Sequence, residues 1–426
     1  MKIIEKYLQS YAEPVSRSAL DLPVEFDNVV VIPAFDEPSI FLEQKMLARG
    51  GDNLAIVVVN APEKGGDQEA LARTVLLLEY IKKNMRQLWY DELSGLTLYR
   101  NDNCGYFLLS VDCVSVGRRL PEKEGVGLAR KIGADIAVNL IFNGVIKSHT
   151  INSTDADVQI PDGYFAAVGK TRSEYAGYTF PFTHSPEHGF DLAMQLYEFS
   201  LRYYVAGLEF AGSKYAFHTI GSCLAFSAES YAKVRGFPKR AAGEDFYLLN
   251  KLAKVGDIKE LAKPVITVAG RGSGRVPFGT GPALTKIANM ESPLKSYEFY
   301  NPMVFDCLRE FLQRLPDFWQ GGENALIGPQ NYGEYRKEID LALRSIGFTK
   351  VLSRLRGHAK SKQQFLRACH DWFDAFKTLK FIHFLRGEFF PSVVIAELRG
   401  CSLVSGLERL YPELFAALYN DDLAVQ

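Results

Sequence analysis

Two short runs of mostly β-branched residues constrain the fold more than any other feature of the sequence. They occupy residues 29–32, directly before Pro33, and residues 55–59. Apolar runs of this length bounded by turn residues are typical of strands buried on both faces. Residues 67–84 between the second run and the next apolar segment have helical spacing. Alternation of strand and helix favours a parallel sheet.

The same alternation continues along the chain and predicts its domains. Further strands are expected at residues 106–114, 148–153, 217–227 and 265–268, and helices at 125–141, 228–234 and 244–255. Beyond about residue 293 only helical spacing is found. We therefore expect a short helix and linker in 1–27, an α/β domain with a mostly parallel sheet flanked by helices in 28–292, and an α-helical C-terminal domain in 293–426.

Composition excludes several classes of protein. The 426 residues include 49 Lys and Arg against 50 Asp and Glu, so no overall positive field favours a nucleic acid partner. The six cysteines are scattered without a C-x-x-C pair, which excludes a zinc cluster of that spacing and a small disulfide framework and fits a reducing compartment. The N-terminus lacks the apolar core of a signal peptide, and no apolar run reaches about 18 residues. We expect a cytoplasmic protein without a membrane span.

The first candidate site follows the strand predicted at 148–153. Asp155 and Asp157 stand two positions apart just after this strand, so we expect the chain to turn there and present both at the carboxyl edge of the sheet, where open α/β sheets bind ligands. With no His or Cys nearby, such carboxylates suit Mg²⁺ or Mn²⁺, whose other ligands would be waters and nucleotide phosphates. Solvated turn residues are the alternative.

Two further segments carry candidate residues. Glu244 and Asp245 follow a glycine and open a helix, which indicates either a helix N-terminus that favours negative charge or a general base. The glycine-rich stretch at 270–281 holds Arg271 and Arg275, which could clamp a diphosphate, although an exposed flexible loop has the same composition. A Rossmann dinucleotide fingerprint is not supported, because the glycines do not follow the first strand.

Five segments in order give the chain a resemblance to a known family. They are VVVIPAFDEP at 29–38, GLARKIGADIA at 127–137, STDADVQIPDGYF at 153–165, TIGSCLAFSAESYAKVRGFPKRAAGEDFYLLNKL at 219–252 and GRGSGRVPFGTG at 270–281. In this order and spacing they resemble the family 2 glycosyltransferases of the GT-A fold, over roughly residues 28–285. The N-terminal segment and the helical C-terminal domain lie outside the resemblance.

The resemblance implies a nucleotide-sugar donor bound at the end of the first strand. Its expected contacts to base and ribose come from Pro33, Ala34, Asp36 and Glu37. The family usually has Asn-Glu where this chain has Asp36-Glu37, and an acid where the second strand ends here in Asn60. These two departures concern recognition of the donor base.

The resemblance also assigns the charged residues. Arg130 matches a position that helps to hold the nucleotide. Asp155 would contact ribose or metal, and Asp157 the metal and diphosphate. Asp245, with Glu244 beside it, would be the base.

The combined hypothesis is an inverting, metal-dependent glycosyltransferase that moves a sugar from a UDP- or GDP-sugar to a hydroxyl acceptor on a glycan, a lipid-linked molecule or a small molecule. The cation together with Arg271 and Arg275 would neutralise the departing diphosphate, and one carboxylate would activate the acceptor. A catalytically silent protein that binds nucleotide sugars is the alternative. A nucleotidyltransferase is disfavoured, because no glycine-rich basic loop directly follows the first strand.

Other segments permit two interpretations each. Phe and Tyr make up fourteen of the fifty-four residues in 164–217, which predicts either an unusual core or a cleft lining, and the aromatic residues at 175–182 could stack on sugar rings. His184 and His188 could contact an acceptor or a metal, but lone histidines more often have a structural role. The basic residues of 350–386 predict a solvated helix face, with docking to an anionic membrane or acceptor as the second interpretation. The C-terminal domain either closes over the donor site or is inert packing.

Overall fold

The structure is a computed structural model that describes residues 2–17, 20–65, 67–169, 174–272, 279–322 and 333–416. It divides into two compact units. The described residues of the first unit lie within Met1–Ser185 and Thr219–Gly270. Those of the second lie within Pro186–His218, Arg271–Ser273 and Gly279–Gln426. The units are therefore discontinuous in sequence and do not follow the single boundary at 292/293 that the sequence predicts.

The first unit is built around a nine-stranded sheet. Its strand order is β11-β8-β10-β6-β1-β2-β5-β4-β3. The strands are β1 Asn28–Ala34, β2 Asn53–Asn60, β3 Arg86–Asp91, β4 Leu96–Asn101, β5 Tyr106–Cys113, β6 Thr150–Ser153, β8 Gly177–Thr179, β10 Leu224–Ser227 and β11 Ile258–Glu260. The four central strands, β6, β1, β2 and β5, are parallel to one another.

The expectation of a mostly parallel sheet is wrong for the strands on both sides of the four central ones. Strands β3, β4 and β5 pair antiparallel through short connections, and β10 runs antiparallel to both β6 and β8. The sheet is therefore mixed. Antiparallel neighbours need only a tight turn between them, so the β3–β4–β5 flank has no long crossover helix that would signal it in the sequence. The hairpin β3–β4 was missed for this reason.

The central strands are buried on both faces. Every residue of β1 and β2 is buried. Helix α3, Gly125–Phe142, lies directly against β1. A Cβ at Gly133 would lie 2.5 Å from Cγ1 of Val31, so the glycine permits this close packing of helix on strand. Because β1, β2, β5 and β6 are parallel, their carboxyl ends share one edge of the sheet.

The remaining helices of the first unit surround this sheet. They are α1 Lys2–Ser10, α2 Gln68–Asn84, α5 Ala228–Lys233 and α6 Glu244–Leu252. A three-stranded sheet adds β7 Val158–Gln159, β9 Phe182–Pro186 and β12 Ile266–Gly270 in the order β7-β12-β9. The predicted helices at 67–84, 125–141, 228–234 and 244–255 are found, with the last ending three residues earlier.

A buried polar cluster joins the N-terminal helix to α3. Oδ1 of Asp135 accepts hydrogen bonds from the hydroxyls of Tyr7 and Tyr231, at 2.5 and 3.0 Å. Its Oδ2 accepts from Nζ of Lys131 at 2.9 Å and from the backbone N–H of Glu13 at 2.8 Å. Four donors compensate the cost of burying this carboxylate. The segment predicted as a helix and linker thus packs as part of the first unit.

The second unit is mainly helical. Its elements are α4 Asp191–Phe210, α7 Thr280–Ala288, α8 Pro293–Ser296, β13 Glu298–Phe299, α9 Met303–Arg314, α10 Asp317–Gly321, α11 Arg336–Ser345, α12 Phe348–His358, α13 Lys362–Trp372, α14 Ala375–Glu388 and β14 Val393–Val394. The short antiparallel pair β13–β14 is the one strand pairing described in this unit. No helix in the described ranges is long and apolar enough to cross a membrane.

Aromatic packing holds α4 in the second unit. Phe199 makes an edge-to-face contact with Phe299, with ring centroids 5.4 Å apart, and Tyr203 makes one with Phe305 at 5.7 Å. All four side chains are buried. The aromatic enrichment of 164–217 therefore marks core in this part, and it explains why residues before 218 belong with residues after 279.

Candidate active site

The D-x-D loop leaves the sheet immediately after β6. Ser153 is in register with Val31 of β1 and with Leu224 of β10. The next residue, Thr154, donates its backbone N–H to the carbonyl oxygen of Val31 at 3.1 Å and its hydroxyl to that of Ser222 at 3.0 Å. The chain then turns, so Asp155 and Asp157 stand at the carboxyl end of β6, where the sequence predicts them.

Arg130 connects this loop to the second acidic motif. Its Nε donates to Oε1 of Glu244 at 2.8 Å, and its Nη2 donates to Oδ1 of Asp155 at 2.5 Å. Its Nη1 donates to Oγ of Ser153 at 2.9 Å and to the carbonyl oxygen of Thr154 at 3.3 Å. One guanidinium therefore ties α3, the D-x-D loop and the start of α6 together.

The electrostatics of this arrangement keep Arg130 charged. Its side chain is 3% exposed. Burial by itself lowers the pKa of the guanidinium, but the charges of Asp155, Glu244 and Asp245 outweigh burial and raise the pKa above its ordinary value. Because Glu244 is buried, removing Arg130 would leave it as an uncompensated buried charge. In this structure Arg130 positions acidic residues, and a contact to nucleotide stays a prediction.

The two adjacent acids at the start of α6 have different environments. Glu244 is 4% exposed and pairs with Arg130. Asp245 instead accepts a hydrogen bond at Oδ1 from the backbone N–H of Phe246 at 2.7 Å. Burial, reinforced by the charge of Glu244, raises the pKa of Asp245 to about 7. An acid with a pKa near neutrality can both take up and release a proton.

A glycine allows the chain before β10 to approach this cluster. A Cβ at Gly221 would lie 2.6 Å from Nη2 of Arg130 and 3.3 Å from Oδ2 of Asp245. Any larger residue would displace the guanidinium. Gly221 lies in the TIGSC part of the fourth family-like segment, but the sequence alone does not assign it a role.

The end of β1 carries the residues predicted to contact base and ribose. Pro33 and Ala34 are the last two residues of β1. Asp36 follows with φ of 58°, a left-handed conformation uncommon outside glycine. Its carboxylate accepts from Nε of Arg73 at 2.6 Å and Nη2 at 3.2 Å, and its N–H donates to Oγ1 of Thr74 at 2.9 Å. Glu37 beside it is buried.

Asn60 ends the neighbouring strand β2 at the same edge. The residue is 8% exposed, and its Oδ1 is buried without a hydrogen-bond partner among the described residues. A buried amide oxygen left unpaired costs free energy, so it marks a place where a ligand donor would be accepted. Asn60 is among the candidate donor-binding residues expected from the sequence, as a departure from the acid usual in the family, and that role stays a prediction.

The metal and phosphate residues are placed only in part. The described residues contain no group of three or more His, Cys, Asp or Glu side chains that could hold a metal ion. Asp157 is half-buried, and its carbonyl oxygen accepts from the N–H of Ala269 in β12 at 3.2 Å. Arg271, the residue after β12, belongs to the second unit. Arg275 lies outside the described residues.

The aromatic residues before α4 pack mainly within the protein. Phe180 is buried and stacks on Tyr164 with ring centroids 5.0 Å apart. Phe182 is buried and contacts the ring of His184 edge-to-face at 5.4 Å. Tyr178 is buried as well, in strand β8. These contacts favour the packing interpretation of this segment over stacking on sugar rings.

Sequence reasoning missed several residues of the site. Arg73 lies in α2 with no motif around it, and only the fold brings it to Asp36. Ser153, Thr154 and Gly221 stood inside quoted segments, but nothing in their spacing showed that they would contact Arg130 or support the loop. The signal available was local: two small polar residues directly before an acidic pair.

Comparison with known proteins adds little to this geometry. No protein-family model and no curated protein matches the chain. Among solved structures, residues 1–349 of S. aureus TarS, determined in complex with UDP-GlcNAc, are similar over 82% of this chain and 91% of that chain, with 11% sequence identity and a TM-score of 0.36. This likeness is too distant to assign a fold family or an activity to the chain.

Proposed function

We propose that the protein is a glycosyltransferase that uses a nucleotide-sugar donor. The observation that carries the proposal is the bridge made by Arg130, which holds Asp155 and Glu244 in one cluster although they are far apart in sequence. Because Asp245 adjoins Glu244, two acidic motifs meet at the carboxyl edge of the central strands, where open α/β sheets bind ligands. The ordered resemblance to family 2 of the GT-A fold supports the same activity.

The donor base is proposed to bind between the ends of β1 and β2. The unpaired Oδ1 of Asn60 accepts a ring N–H, and its amide group donates to an adjacent ring carbonyl. Uracil and guanine both present this pair of groups, and adenine would pair with the same amide through its amino group and a ring nitrogen. Asp36, held by Arg73, shapes the same edge. The amide therefore accommodates a UDP- or GDP-sugar, and comparison with an ADP-sugar tests its selectivity.

A divalent cation fits the acidic loop only with help from the donor. Asp155 gives one oxygen to Arg130, and its side chain is 35% exposed. Mg²⁺ is commonly held by one or two carboxylates together with substrate phosphates, so Asp155 and Asp157 would suffice once a diphosphate is bound. When bound, the cation would neutralise charge on the departing diphosphate.

The catalytic step is assigned to Asp245. With a pKa raised to about 7, its carboxylate accepts a proton from an acceptor hydroxyl as the new glycosidic bond forms. The electron pair of the breaking bond goes to the diphosphate oxygen. Attack by a single activated hydroxyl opposite the leaving group predicts inversion at the anomeric carbon. Glu244 remains paired with Arg130 throughout.

Isothermal titration with a panel of UDP-, GDP- and ADP-sugars, each with and without Mn²⁺, tests the proposal. We expect binding of a uridine or guanosine donor, and slow hydrolysis of that donor when no acceptor is present. Failure of every nucleotide to bind would contradict the proposal. Binding without hydrolysis or transfer would instead favour a catalytically silent nucleotide-sugar-binding protein.

A further inference from the structure

The second unit carries a helical hairpin with an unusual charge distribution. We call the segment Phe348 to His370 the basic hairpin; it comprises α12, the following turn and most of α13. It contains six Lys or Arg residues and no Asp or Glu. The whole chain has a net charge of -1, so this concentration of positive charge is local.

The inner and outer faces of the basic hairpin are cleanly separated. Phe348 and Leu352 of α12 and Phe365 and Cys369 of α13 are fully buried and form its inner face. The exposed basic side chains on its outside are Lys350, Arg354, Lys360, Lys362 and Arg367. The sixth, Arg356, is turned to the protein and donates to the carbonyl oxygens of Trp319 and Gln320.

Among the described residues, no acid neutralises these exposed charges. None of these five side chains makes a salt bridge with an acid within the ranges that the structure describes. Asp371, the first acid after the basic hairpin, pairs with Lys214, and Asp340 of α11 pairs with Arg344. Clustered like charges repel one another, so an unneutralised patch carries a cost that binding of an anionic surface removes.

The chemistry of the patch distinguishes among anionic partners. The two phenylalanines of the basic hairpin, Phe348 and Phe365, are buried, so they offer no platform for base stacking as in single-stranded nucleic acid binding. No large apolar side chain is exposed within it either, and protein interfaces usually need such an anchor. A set of long, flexible cationic side chains without anchors suits a laterally extended layer of anionic headgroups.

We propose that the outer face of the basic hairpin docks the protein on a bilayer surface rich in anionic lipid. The attachment is electrostatic, because the patch has cations and no apolar group to insert. A single signal of this kind gives weak and reversible binding. It must also weaken as salt increases, since screening shortens the reach of each charge.

Co-sedimentation of the full chain with vesicles tests this docking. The probes are vesicles of phosphatidylcholine alone and of phosphatidylcholine mixed with phosphatidylglycerol. We expect binding to the anionic vesicles only, falling steeply with added salt. Equal binding to both kinds of vesicle would overturn the proposal, as would the absence of binding to anionic vesicles at low salt.

Matched variants locate the surface. The hairpin variant carries Lys350→Gln, Arg354→Gln, Lys360→Gln and Lys362→Gln. The control removes the same charge from exposed lysines outside the basic hairpin and carries Lys6→Gln, Lys82→Gln, Lys83→Gln and Lys286→Gln. We expect the hairpin variant to bind anionic vesicles at least about tenfold more weakly and the control to bind as the unaltered protein does.

Three further outcomes complete the test. Circular dichroism and thermal unfolding should be unchanged in both variants, because all substituted side chains are exposed. Equal loss in the hairpin variant and the control would show that only net charge matters and would overturn the proposal. Binding of the unaltered protein to polyuridylate in preference to anionic vesicles would assign the patch to a nucleic acid instead. Because the readout is vesicle binding, it does not depend on the proposed transfer reaction.

Discussion

The guanidinium of Arg130 donates to Glu244 from 114 positions away in the sequence, at 2.8 Å. This contact links helix α3 to the first turn of α6, and the same side chain reaches Asp155 on the D-x-D loop. The two adjacent acids therefore differ: Glu244 forms the ion pair with Arg130, whereas Asp245 accepts a hydrogen bond from the backbone N–H of Phe246.

Replacing Asp245 should affect turnover rather than binding. Asp245→Asn keeps the size and most of the polarity of the side chain but removes the proton acceptor, so we expect kcat to fall by about 10²-fold or more with donor affinity unchanged. Steady-state kinetics and titration calorimetry measure the two quantities. Glu244→Gln is the comparison: it should weaken the folded structure of the site and lower donor affinity as well. Near-normal turnover in Asp245→Asn would reassign the base.

The raised pKa of Asp245 predicts a pH dependence of turnover. With a pKa of about 7 the carboxylate is mostly protonated below neutrality, so kcat/KM should rise with pH through about 7 and then level off. The charge of Glu244 contributes to this raised pKa, so Glu244→Gln should move the midpoint to lower pH. If kcat/KM stayed constant between about pH 5 and about pH 9, Asp245 would be excluded as the titrating group.

The same group makes stability depend on pH. The folded protein binds the Asp245 proton more tightly than the unfolded chain, in which the pKa is near 3.8. Stability from this group is therefore complete at low pH and is lost as pH rises toward about 7. Asp245→Asn should remove that slope, which urea unfolding at several pH values would measure. An identical slope in the variant and the unaltered protein would contradict the assignment.

Loss of the Arg130 side chain should destabilise the first unit. Arg130→Gln leaves the buried Glu244 and the half-buried Asp155 without a counter-charge, which typically costs about 3–5 kcal/mol of unfolding free energy. Chemical denaturation measures this cost. Arg86→Gln is the control, because the Arg86–Asp102 pair is exposed and its loss should leave stability unchanged. Equal effects of the two substitutions would show that the buried bridge is not structural.

Asp157 is predicted to matter for the metal and not for the fold. Asp157→Ala should abolish the part of donor binding that depends on Mn²⁺ and leave the unfolding temperature nearly unchanged. Calorimetry with and without Mn²⁺ separates the two effects. Donor affinity that is the same with and without the metal, in both the variant and the unaltered protein, would contradict a metal site at this loop.

Truncation at residue 293 should not yield a folded catalytic domain. It would remove Phe299 and Phe305 from the buried aromatic contacts of Phe199 and Tyr203 on α4. Exposing such large side chains usually leads to aggregation or partial unfolding. Size-exclusion chromatography and circular dichroism of the truncated chain test this expectation. A monomeric truncated protein with unchanged helix content would show that α4 does not need these partners.

The sequence by itself determined the centre of the first unit. The strands β1 and β2 were predictable because a strand buried on both faces must be a short, continuous apolar run, and α2 and α3 because their spacing is helical. The two acidic motifs were predictable as candidate sites, since carboxylates just after a strand or at a helix start stand where ligands bind. All of these signals are local.

Only the tertiary structure decided which of these residues meet. Arg130 reaches Glu244 because α3 packs on β1 and directs its side chain to the carboxyl edge, and no spacing in the sequence encodes that reach. The hairpin β3–β4 was missed because a tight turn leaves no crossover helix to signal it. Helix α4 was missed because its aromatic residues pack against partners distant in the chain. The sequence also could not show that the amide oxygen of Asn60 is buried without a hydrogen-bond partner among the described residues, because burial depends on the whole fold.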